Sequence, residues 1–279
     1  MKFLKMHGAG NDFIVVNNLD KSMMFSQKQI AQLCDRHKGI GADGLILVEP
    51  SNEDAAFMDY YNADGTIAQM CGNGMRCLAK YVTDRQIVKK TQFTIASRAG
   101  RIGIELLKRT PAESTIRVDM GNVVFSAQKI PVISKKEEVI GAHFDWDGVT
   151  YSYGCASMGN PHMVVLTGDF DQTPIEAIGP YYEKHAMFPE NCNISFAEVK
   201  DTNHIRMDTW ERGDGRTLAC GTGTCATVAV LHRLGKVDTA VEAQLSGGIL
   251  SVELDGSHVW MTGPAQTVYE GSVDVEAFQ

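Results

Sequence analysis

Short runs of β-branched, aromatic and aliphatic residues recur along the whole chain, and most are bounded by Gly, Asn, Asp or Pro. This composition is typical of sheet strands. In the first half the runs predict strands at residues 13–16, 44–48, 57–61, 92–95, 102–107, 115–120 and 123–125. In the second half they predict strands at residues 151–157, 163–166, 193–199, 204–209, 240–245, 249–254 and 258–262.

Three segments have a helical pattern instead, at residues 26–35, 74–85 and 223–234. Ser26 is an N-cap residue for the first, which places Ile30 and Leu33 on one face. Gly235 follows the last, at the position where helices commonly end. Many strands with few helices predict an α+β fold in which sheet wraps each helix. The polar run at 134–141 predicts an exposed turn.

Two motifs recur at one constant distance. G-A-G-N-D-F-I-V-V (8–16) is similar to S-M-G-N-P-H-M-V-V (157–165), and Asn11 lies 149 positions before Asn160. M-C-G-N-G-M-R-C (70–77) is similar to A-C-G-T-G-T-C (219–225), and Cys71 lies 149 positions before Cys220. The repeat predicts two similar halves, each with one Gly-Asn turn and one Cys-Gly-x-Gly at a helix start. Chance similarity of Gly-rich turns is the alternative.

Each Cys-Gly-x-Gly turn combines a thiol with backbone N–H groups. A cysteine at a helix N-terminus is expected to be stabilised as a thiolate, and the same N–H groups bind a carboxylate. Two such turns facing one cleft have the chemistry needed to invert an α-carbon. One thiolate removes the α-proton while the opposite thiol donates a proton to the other face. The scheme requires no metal and no pyridoxal phosphate, so no cofactor is expected.

Composition narrows the alternatives. The 26 Lys and Arg residues against 34 Asp and Glu give a net charge of −8, which disfavours a nucleic-acid partner. The chain has no apolar stretch of membrane-spanning length, and its first residues lack the apolar core of a signal peptide. We therefore expect a cytoplasmic protein with no membrane partner.

Seven cysteines are an odd number, which excludes a fully paired disulfide scaffold. Those that the repeat does not single out are expected to pack in the core: Cys34, Cys77, Cys155, Cys192 and Cys225. A zinc site pairing Cys71 with Cys77 and Cys220 with Cys225 is the alternative, but compact zinc knuckles use shorter spacings. The chain also lacks the C-x-x-C of dithiol redox proteins.

At these residues the sequence resembles the diaminopimelate epimerase family, cofactor-independent two-cysteine enzymes of lysine and peptidoglycan precursor synthesis. The resemblance covers essentially the whole chain, through K-M-H-G-A-G-N-D-F (5–13), G-I-G-A-D-G (39–44), Y-N-A-D-G (61–65), M-C-G-N-G-M-R-C (70–77), M-G-N-P-H (158–162), W-E-R-G (210–213) and L-A-C-G-T-G-T-C-A (218–226). It implies a pyridoxal-independent isomerase that converts LL-2,6-diaminopimelate to the meso form, as a cytoplasmic homodimer acting on this small molecule.

The resemblance also implies the architecture. It predicts two pseudo-symmetric α/β domains, each a mostly antiparallel sheet wrapped around a central helix, with the active site in the cleft between them. The N-terminal domain is expected at residues 1–118 plus 266–279 and carries Cys71. The C-terminal domain is expected at residues 119–265 and carries Cys220.

Site residues follow from the same motifs. Cys71 and Cys220 match the acid/base pair, and His162 and Glu211 match residues that tune the cysteines. The substrate-binding set is Asn11, Asn62, Gly72, Asn73, Asn160, Asn193, Glu211, Arg212, Gly221 and Thr222. Within it Arg212 matches the clamp on the distal carboxylate, a role that suits a guanidinium.

Simpler interpretations stay open for several of these residues. Asn11, Asn62 and Asn160 lie in turn-like strings where Asn is common for backbone reasons. His162 is also explained as an ordinary buried histidine, and Glu211–Arg212 as a surface ion pair.

Two positions depart from the family pattern. Some members carry Gln at Gly44, and Arg216 stands where an acidic or neutral residue is frequent. The Gly44 departure leaves no side chain there to contact substrate. Arg216 either lowers the pKa of Cys220 or faces solvent.

Two rival functions remain. The first is a two-cysteine racemase or epimerase of the same fold acting on proline, hydroxyproline or histidine. Asn62, Asn193 and Arg212 argue against it, because a small imino acid would leave a buried guanidinium unpaired. The second is a non-catalytic amino-acid-binding protein, against which the presence of both cysteines argues.

Overall fold

Residues 1–278, the part of the chain that the computed structural model describes, form two compact units. Unit 1 consists of Met1–Asp119 together with the residues from Thr262 onward, and unit 2 is Met120–Met261. Each unit is mostly sheet with two α-helices, which confirms the predicted α+β class.

In unit 1 strands β1 to β7 lie side by side in the order in which they occur along the chain. The strands are β1 Lys2–Gly8, β2 Asn11–Asn17, β3 Gly44–Glu49, β4 Phe57–Asn62, β5 Gln92–Ser97, β6 Gly100–Arg109 and β7 Glu113–Asn122. Pairing is antiparallel except for β2–β3 and β4–β5. Its helices are α1 Gln27–Cys34 and α2 Gly72–Asp84, and α2 is buried from Gly72 to Thr83.

Unit 2 has the same plan. Its strands are β8 Ala142–Trp146, β9 Val149–Ser157, β10 Pro161–Leu166, β11 Asn193–Val199, β12 His204–Glu211, β13 Gly215–Thr217, β14 Ala240–Leu245 and β15 Gly248–Asp255. Their order is β8-β9-β10-β11-β12-β14-β15, with β13 paired to β12 and parallel pairing at β10–β11 and β12–β14. Its helices are α3 Ile175–Glu183 and α4 Gly221–Arg233, and α4 packs against β9, β10, β11 and β15.

The last strand, β16 His258–Ser272, belongs to unit 1 from Thr262 onward. There it pairs antiparallel with β1, from His7↔Gln266 to Lys2↔Ser272, and it is also the neighbour of β7 in the strand order. The strands of unit 1 therefore close into a ring, because β1 pairs with both β2 and β16.

The 149-residue offset found in the motifs extends to whole elements. Helix α2 begins at Gly72 and ends at Asp84, and α4 begins at Gly221 and ends at Arg233, so both ends are displaced by 149. The parallel pair Phe13↔Gly44 in unit 1 corresponds in the same way to His162↔Asn193 in unit 2. The two units are therefore collinear over the elements that carry the two cysteines.

Several predicted bounds were wrong, for identifiable reasons. Helices α2 and α4 start two residues early, because the Gly-rich turns are already helical. The strand predicted at 123–125 is absent; β7 ends at Asn122, and Val124 makes only an isolated bridge to Ser157. The 134–141 segment is irregular and largely exposed, as predicted, although Val139 is buried.

Three strands and one α-helix of the described residues escaped prediction: β1, β8, β13 and α3. Helix α3 contains Gly179–Pro180, a pair that usually ends a helix. Gly179 is required because a Cβ there would lie 2.7 Å from the Trp210 side chain. Tertiary packing on Trp210 thus overrides local propensity. Among the described residues no helix has the length and apolarity needed to cross a membrane.

Candidate active site

Cys71 is the N-cap of α2, with extended backbone before the helix begins, and its side chain is half-buried. Its Sγ donates to Asn11 Oδ1 at 3.6 Å, and Asn73 Nδ2 donates to the same oxygen at 3.3 Å. The structure therefore brings together three predicted site residues. With Arg76, described below, Asn11, Cys71 and Asn73 make up the Cys71 half-site.

The orientation of the Asn11 amide is set by Asp43. Asp43 Oδ2 accepts hydrogen bonds from Asn11 Nδ2 at 2.8 Å and from the Asp12 backbone N–H at 3.0 Å. Since an amide has one donor end and one acceptor end, this bond directs Asn11 Oδ1 toward Cys71. Asp43 is part of an ionic network in which Arg36 binds both Asp43 and Asp12, and Lys5 pairs with Asp12 at 2.5 Å.

Burial raises the pKa of the Asp43 carboxyl, and the neighbouring Asp12 charge adds to that effect. Burial also acts on Asp12, but hydrogen bonds from Arg36 and Lys5 hold its pKa well below the usual range. Asp12 is therefore the carboxylate that stays ionised most firmly in this network.

Arg76 lies one turn into α2 and is fully buried. Its Nη2 donates to Asn73 Oδ1 at 2.9 Å, and its Nε donates to the Pro264 carbonyl at 3.0 Å. Gly8 makes room for it, because a Cβ at Gly8 would lie 2.9 Å from Arg76 Nη2. The Asn73 side chain is thereby held between Arg76 and Asn11, and a positive charge is built into this half-site.

Cys220 is the N-cap of α4 and is buried. Its Sγ accepts the Gly223 backbone N–H at 3.4 Å and lies 3.6 Å from Thr222 Oγ1. Gly223 cannot carry a side chain, since a Cβ would lie 2.8 Å from Thr209 Oγ1 and 3.2 Å from the sulfur.

At Cys220 the helix terminus favours the thiolate, but burial and Glu211 oppose it. Burial raises its pKa well above the usual value, and the charge and hydrogen bond of Glu211 raise it further. Thr222 and the Gly223 N–H act in the opposite direction but do not prevail. Cys220 is therefore a thiol at neutral pH. Cys220, Glu211, Asn193 and His162 are called the Cys220 half-site.

The turn 211–215 joins β12 to β13 and carries Glu211 and Arg212. Asn193 Oδ1 accepts the Arg212 backbone N–H at 3.0 Å, while Asn193 Nδ2 donates to the Pro161 carbonyl at 2.9 Å. Glu211 Oε1 accepts the Thr217 hydroxyl at 2.6 Å. Asn193 thus ties the turn to the start of β10.

Arg212 donates from Nη1 to the Glu190 carbonyl at 2.7 Å. Within residues 1–278 its guanidinium forms no salt bridge with a carboxylate, so the surface ion pair with Glu211 is not formed. A guanidinium bound only to a carbonyl retains donors for an anionic ligand.

His162 is fully buried in β10, and its Nε2 is 3.0 Å from Asn160 Oδ1. Burial, with a contribution from the Arg212 charge, lowers the pKa of His162 to about 3, so the ring is neutral at physiological pH. Its Nδ1 has no hydrogen-bond partner among the described residues. In the tautomer with hydrogen on Nε2, Nδ1 is an acceptor that receives no hydrogen bond from the described residues.

Other predicted positions lie less centrally. Asn62 ends β4 and is exposed, and its Nδ2 donates to Thr66 Oγ1 at 3.0 Å within its own turn. No hydrogen bond joins it to Asn11, Cys71 or Asn73 in the described part of the chain. Gly72 and Gly221 are the first residues of α2 and α4, where backbone N–H groups lack helical partners.

Both departures from the family pattern have structural explanations. A Cβ at Gly44 would lie 2.6 Å from the Tyr60 ring and from the Tyr61 carbonyl, so no side chain fits there. Arg216 does not act on Cys220, since it pairs with the buried Asp208 at 2.6 Å. Its side chain is exposed, as the solvent-facing alternative predicted.

Asp43 and Arg76 were missed as site residues although both lie inside quoted motifs. Arg76 had a usable signal, because a charged residue in a helix wrapped by sheet requires a buried partner. Asp43 had none, since its contact with Asn11 spans 32 positions and depends on the β2–β3 pairing.

Comparisons with known proteins identify the family of this chain. The family model described as diaminopimelate epimerase matches residues 3–126 and 154–268. A diaminopimelate epimerase of Methanococcus maripaludis is 40% identical over 277 residues, which cover 99% of this chain and 100% of that protein. One of Agathobacter rectalis is 41% identical over 284 residues, with 99% and 100% covered.

Among solved structures, a probable proline racemase from Agrobacterium radiobacter has a TM-score of 0.72 at 16% identity, covering 100% of this chain and 94% of that one. At that identity the likeness concerns the fold, which is that of the two-domain epimerases and racemases. The full-length matches at about 40% identity decide the family. The chain belongs to the diaminopimelate epimerase family.

Proposed function

We propose that this protein is an isomerase that interconverts LL-2,6-diaminopimelate and meso-diaminopimelate by a cofactor-independent two-base mechanism. The observation that carries the proposal is the pair of cysteines at equivalent helix N-caps, in a chain whose full-length relatives are diaminopimelate epimerases.

The reacting carboxylate is bound by backbone N–H groups at the two helix starts, Gly72–Asn73 and Gly221–Thr222. Such groups have no intrahelical partner and lie at the positive end of the helix dipole. Donors fixed in place before the reaction stabilise the negative charge that builds on the carboxylate and α-carbon, each by about 3 kcal/mol. This stabilisation compensates for the weak acidity of the α-proton.

Cys71 and Cys220 act on opposite faces of the same α-carbon. In one direction Cys71, as a thiolate, removes the α-proton, so that the C–H bond breaks and an S–H bond forms. Cys220 donates its S–H proton to the other face, and its sulfur becomes the thiolate. The raised pKa of Cys220 supports its role as donor in this direction. Asn11 Oδ1 supports the role of Cys71 as the base, since it accepts the S–H that Cys71 carries after it has removed the α-proton.

The distal end of the substrate is bound by Arg212, which has donors available for a second carboxylate. Asn193 fixes its backbone, and Glu211 is close enough to Cys220 to raise its pKa and to receive an ammonium group. Asn62 and Asn160 complete the proposed binding set. Release of the Cys220 proton is then coupled to arrival of a cationic substrate, because an ammonium group beside Glu211 offsets its charge.

Three wider attributes follow from the family. We place the activity in lysine and peptidoglycan precursor synthesis, in the cytoplasm, and we propose a homodimer. Sedimentation of the purified protein tests the last point, which fails if only a monomer is found at micromolar concentration.

The central experiment is incubation of reduced protein with LL-diaminopimelate in D₂O. We expect deuterium at the α-carbon together with the meso product, observed by NMR. Parallel reactions with L-proline and trans-4-hydroxy-L-proline separate this function from that of the rival racemases. Exchange only with an imino acid, or with no amino acid, contradicts the proposal.

A further inference from the structure

Glu183, the last residue of α3, is a buried carboxylate in the helix that sequence patterns did not predict. Its side chain contacts the turn that carries Glu211 and Arg212. Glu183 Oε2 accepts the Trp210 indole N–H at 2.8 Å, and Oε1 accepts the Gly213 backbone N–H at 3.1 Å.

Stability alone does not account for a carboxylate at this position. Glu183 is 6% exposed and forms no ion pair with any Lys, Arg or His in the described residues. Burial of an unpaired charge is costly, and a negative charge at a helix C-terminus is opposed by the helix dipole. The two N–H donors are the groups that compensate for this cost.

These two bonds fix a specific segment of backbone. The Arg212 N–H is held by Asn193 Oδ1 and the next N–H, of Gly213, is held by Glu183 Oε1. Two consecutive amides with fixed partners leave the Arg212 backbone little freedom. Gly213 has φ +89°, a conformation in which the turn needs this support. Gly179, one turn earlier in α3, packs directly on Trp210 and so stabilises the contact between α3 and the Trp210 side chain.

We propose that Glu183 is a positioning residue that fixes the 211–215 turn and thereby sets the affinity for the distal carboxylate through Arg212. The inference rests on the proposed function, in which Arg212 binds that carboxylate. Only a carboxylate accepts from both N–H groups with separate oxygens, because Gln has one acceptor oxygen and would turn its NH₂ group toward one of the two N–H donors.

The test is steady-state epimerisation of LL-diaminopimelate by Glu183→Gln, Arg212→Ala and the double variant. We expect Glu183→Gln to raise KM about tenfold, the scale of one hydrogen bond to a charged group, with kcat nearly unchanged. In the Arg212→Ala background the same substitution should have no further effect on KM, because its effect passes through Arg212. Glu137→Gln, in the exposed part of the 134–141 segment, is the control and should match the wild type.

Folding is monitored separately by circular dichroism and by the Trp210 indole ¹H–¹⁵N resonance, which should move in Glu183→Gln and stay unchanged in Glu137→Gln. Multiplicative KM effects in the double variant, or a fall in kcat at constant KM, would overturn the positioning role. If the wild type does not act on diaminopimelate, the proposed function and this inference both fail. If it does, and Glu183→Gln has wild-type kinetics, only this inference fails.

Discussion

The two half-sites have the same backbone but opposite charges. At the 149-residue offset Asn62 corresponds to Glu211, and the fully buried Arg76 corresponds to the fully buried Cys225. One cysteine therefore caps a helix that contains a guanidinium, and the other has a carboxylate beside it that raises its pKa. Equivalent positions thus place a thiol at each helix N-cap, while the surrounding charges make the two thiols different.

A second difference concerns how each half-site is held. The amide of Asn11 is oriented by Asp43 and a network of Arg36, Asp12 and Lys5. In unit 2 the positions equivalent to Asp43 and Asp12 are Cys192 and Pro161, and the Asn193 side chain binds the Pro161 carbonyl instead. The Asn11 amide is therefore oriented by an ionic network, whereas the Asn193 amide binds neutral backbone groups.

The largest expected effect comes from removing either thiol. Cys71→Ala and Cys220→Ala should each lower epimerisation by ~10³-fold or more, since each loses one acid/base group. Residual activity is measured by the appearance of the meso product. Cys225→Ala is the control with a buried thiol, and near-full activity in Cys71→Ala or Cys220→Ala would refute the two-base assignment.

The next effect isolates the charge difference. Glu211→Gln removes the carboxylate that raises the pKa of Cys220, so the thiolate fraction at neutral pH should increase. The pH dependence of alkylation by iodoacetamide, read for each cysteine by mass spectrometry, should move to lower pH for Cys220 and stay constant for Cys71. An unchanged Cys220 profile, or the same change with exposed Glu242→Gln, would show that Glu211 does not set it.

A smaller effect tests the ionic network. Asp43→Leu frees the Asn11 amide and should lower kcat about tenfold, the scale of a lost charge-assisted hydrogen bond. Asp43→Asn should be milder because its oxygen can still accept from Asn11 Nδ2. Asp20→Asn, at an exposed turn, is the control. Equal losses in Asp43→Leu and Asp43→Asn would argue against orientation of Asn11 as the cause.

The last effect is on stability rather than on activity, and it concerns Phe13 and His162, which are equivalent at the 149-residue offset. His162 is neutral in the native state down to about pH 3, whereas the unfolded chain protonates it below 6.5. The free energy of unfolding should therefore decrease as pH falls through that window, with His162 contributing up to ~1.4 kcal/mol per pH unit.

His162→Phe copies the residue of unit 1 and should remove that contribution, as measured by urea unfolding from pH 7 to pH 4. His143→Phe, on an exposed strand, should leave the slope intact. If the slopes of wild type and His162→Phe coincide, His162 is not the titrating group.

Sequence patterns predicted the parts of this molecule that depend on local order. The 149-residue repeat, the cysteines at helix starts and most strand cores are readable because Gly turns and β-branched runs act over a few residues. Helix α3 was missed because its Gly-Pro pair is tolerated only through packing on Trp210. Strand β1, which contains Lys5, was missed because it pairs with β16, more than 260 positions away, and no local pattern indicates that pairing.

The same limit applied to the candidate site. Arg212 and Asn193 could be named from motifs, but the hydrogen bond between them depends on the β11–β12 register. The raised pKa of Cys220 depends on its burial beside Glu211, which the Cys-Gly-x-Gly motif does not show. Long-range contacts decide both properties.

The ring of strands in unit 1 has a consequence for synthesis on the ribosome. Strand β1 is synthesised before its partner β16, so the ring cannot close until Ser272, which pairs with Lys2, has been synthesised. Unit 2, Met120–Met261, is one uninterrupted segment and requires no such delay. We therefore expect the second unit to be completed first during translation, the reverse of the usual order from the N-terminus.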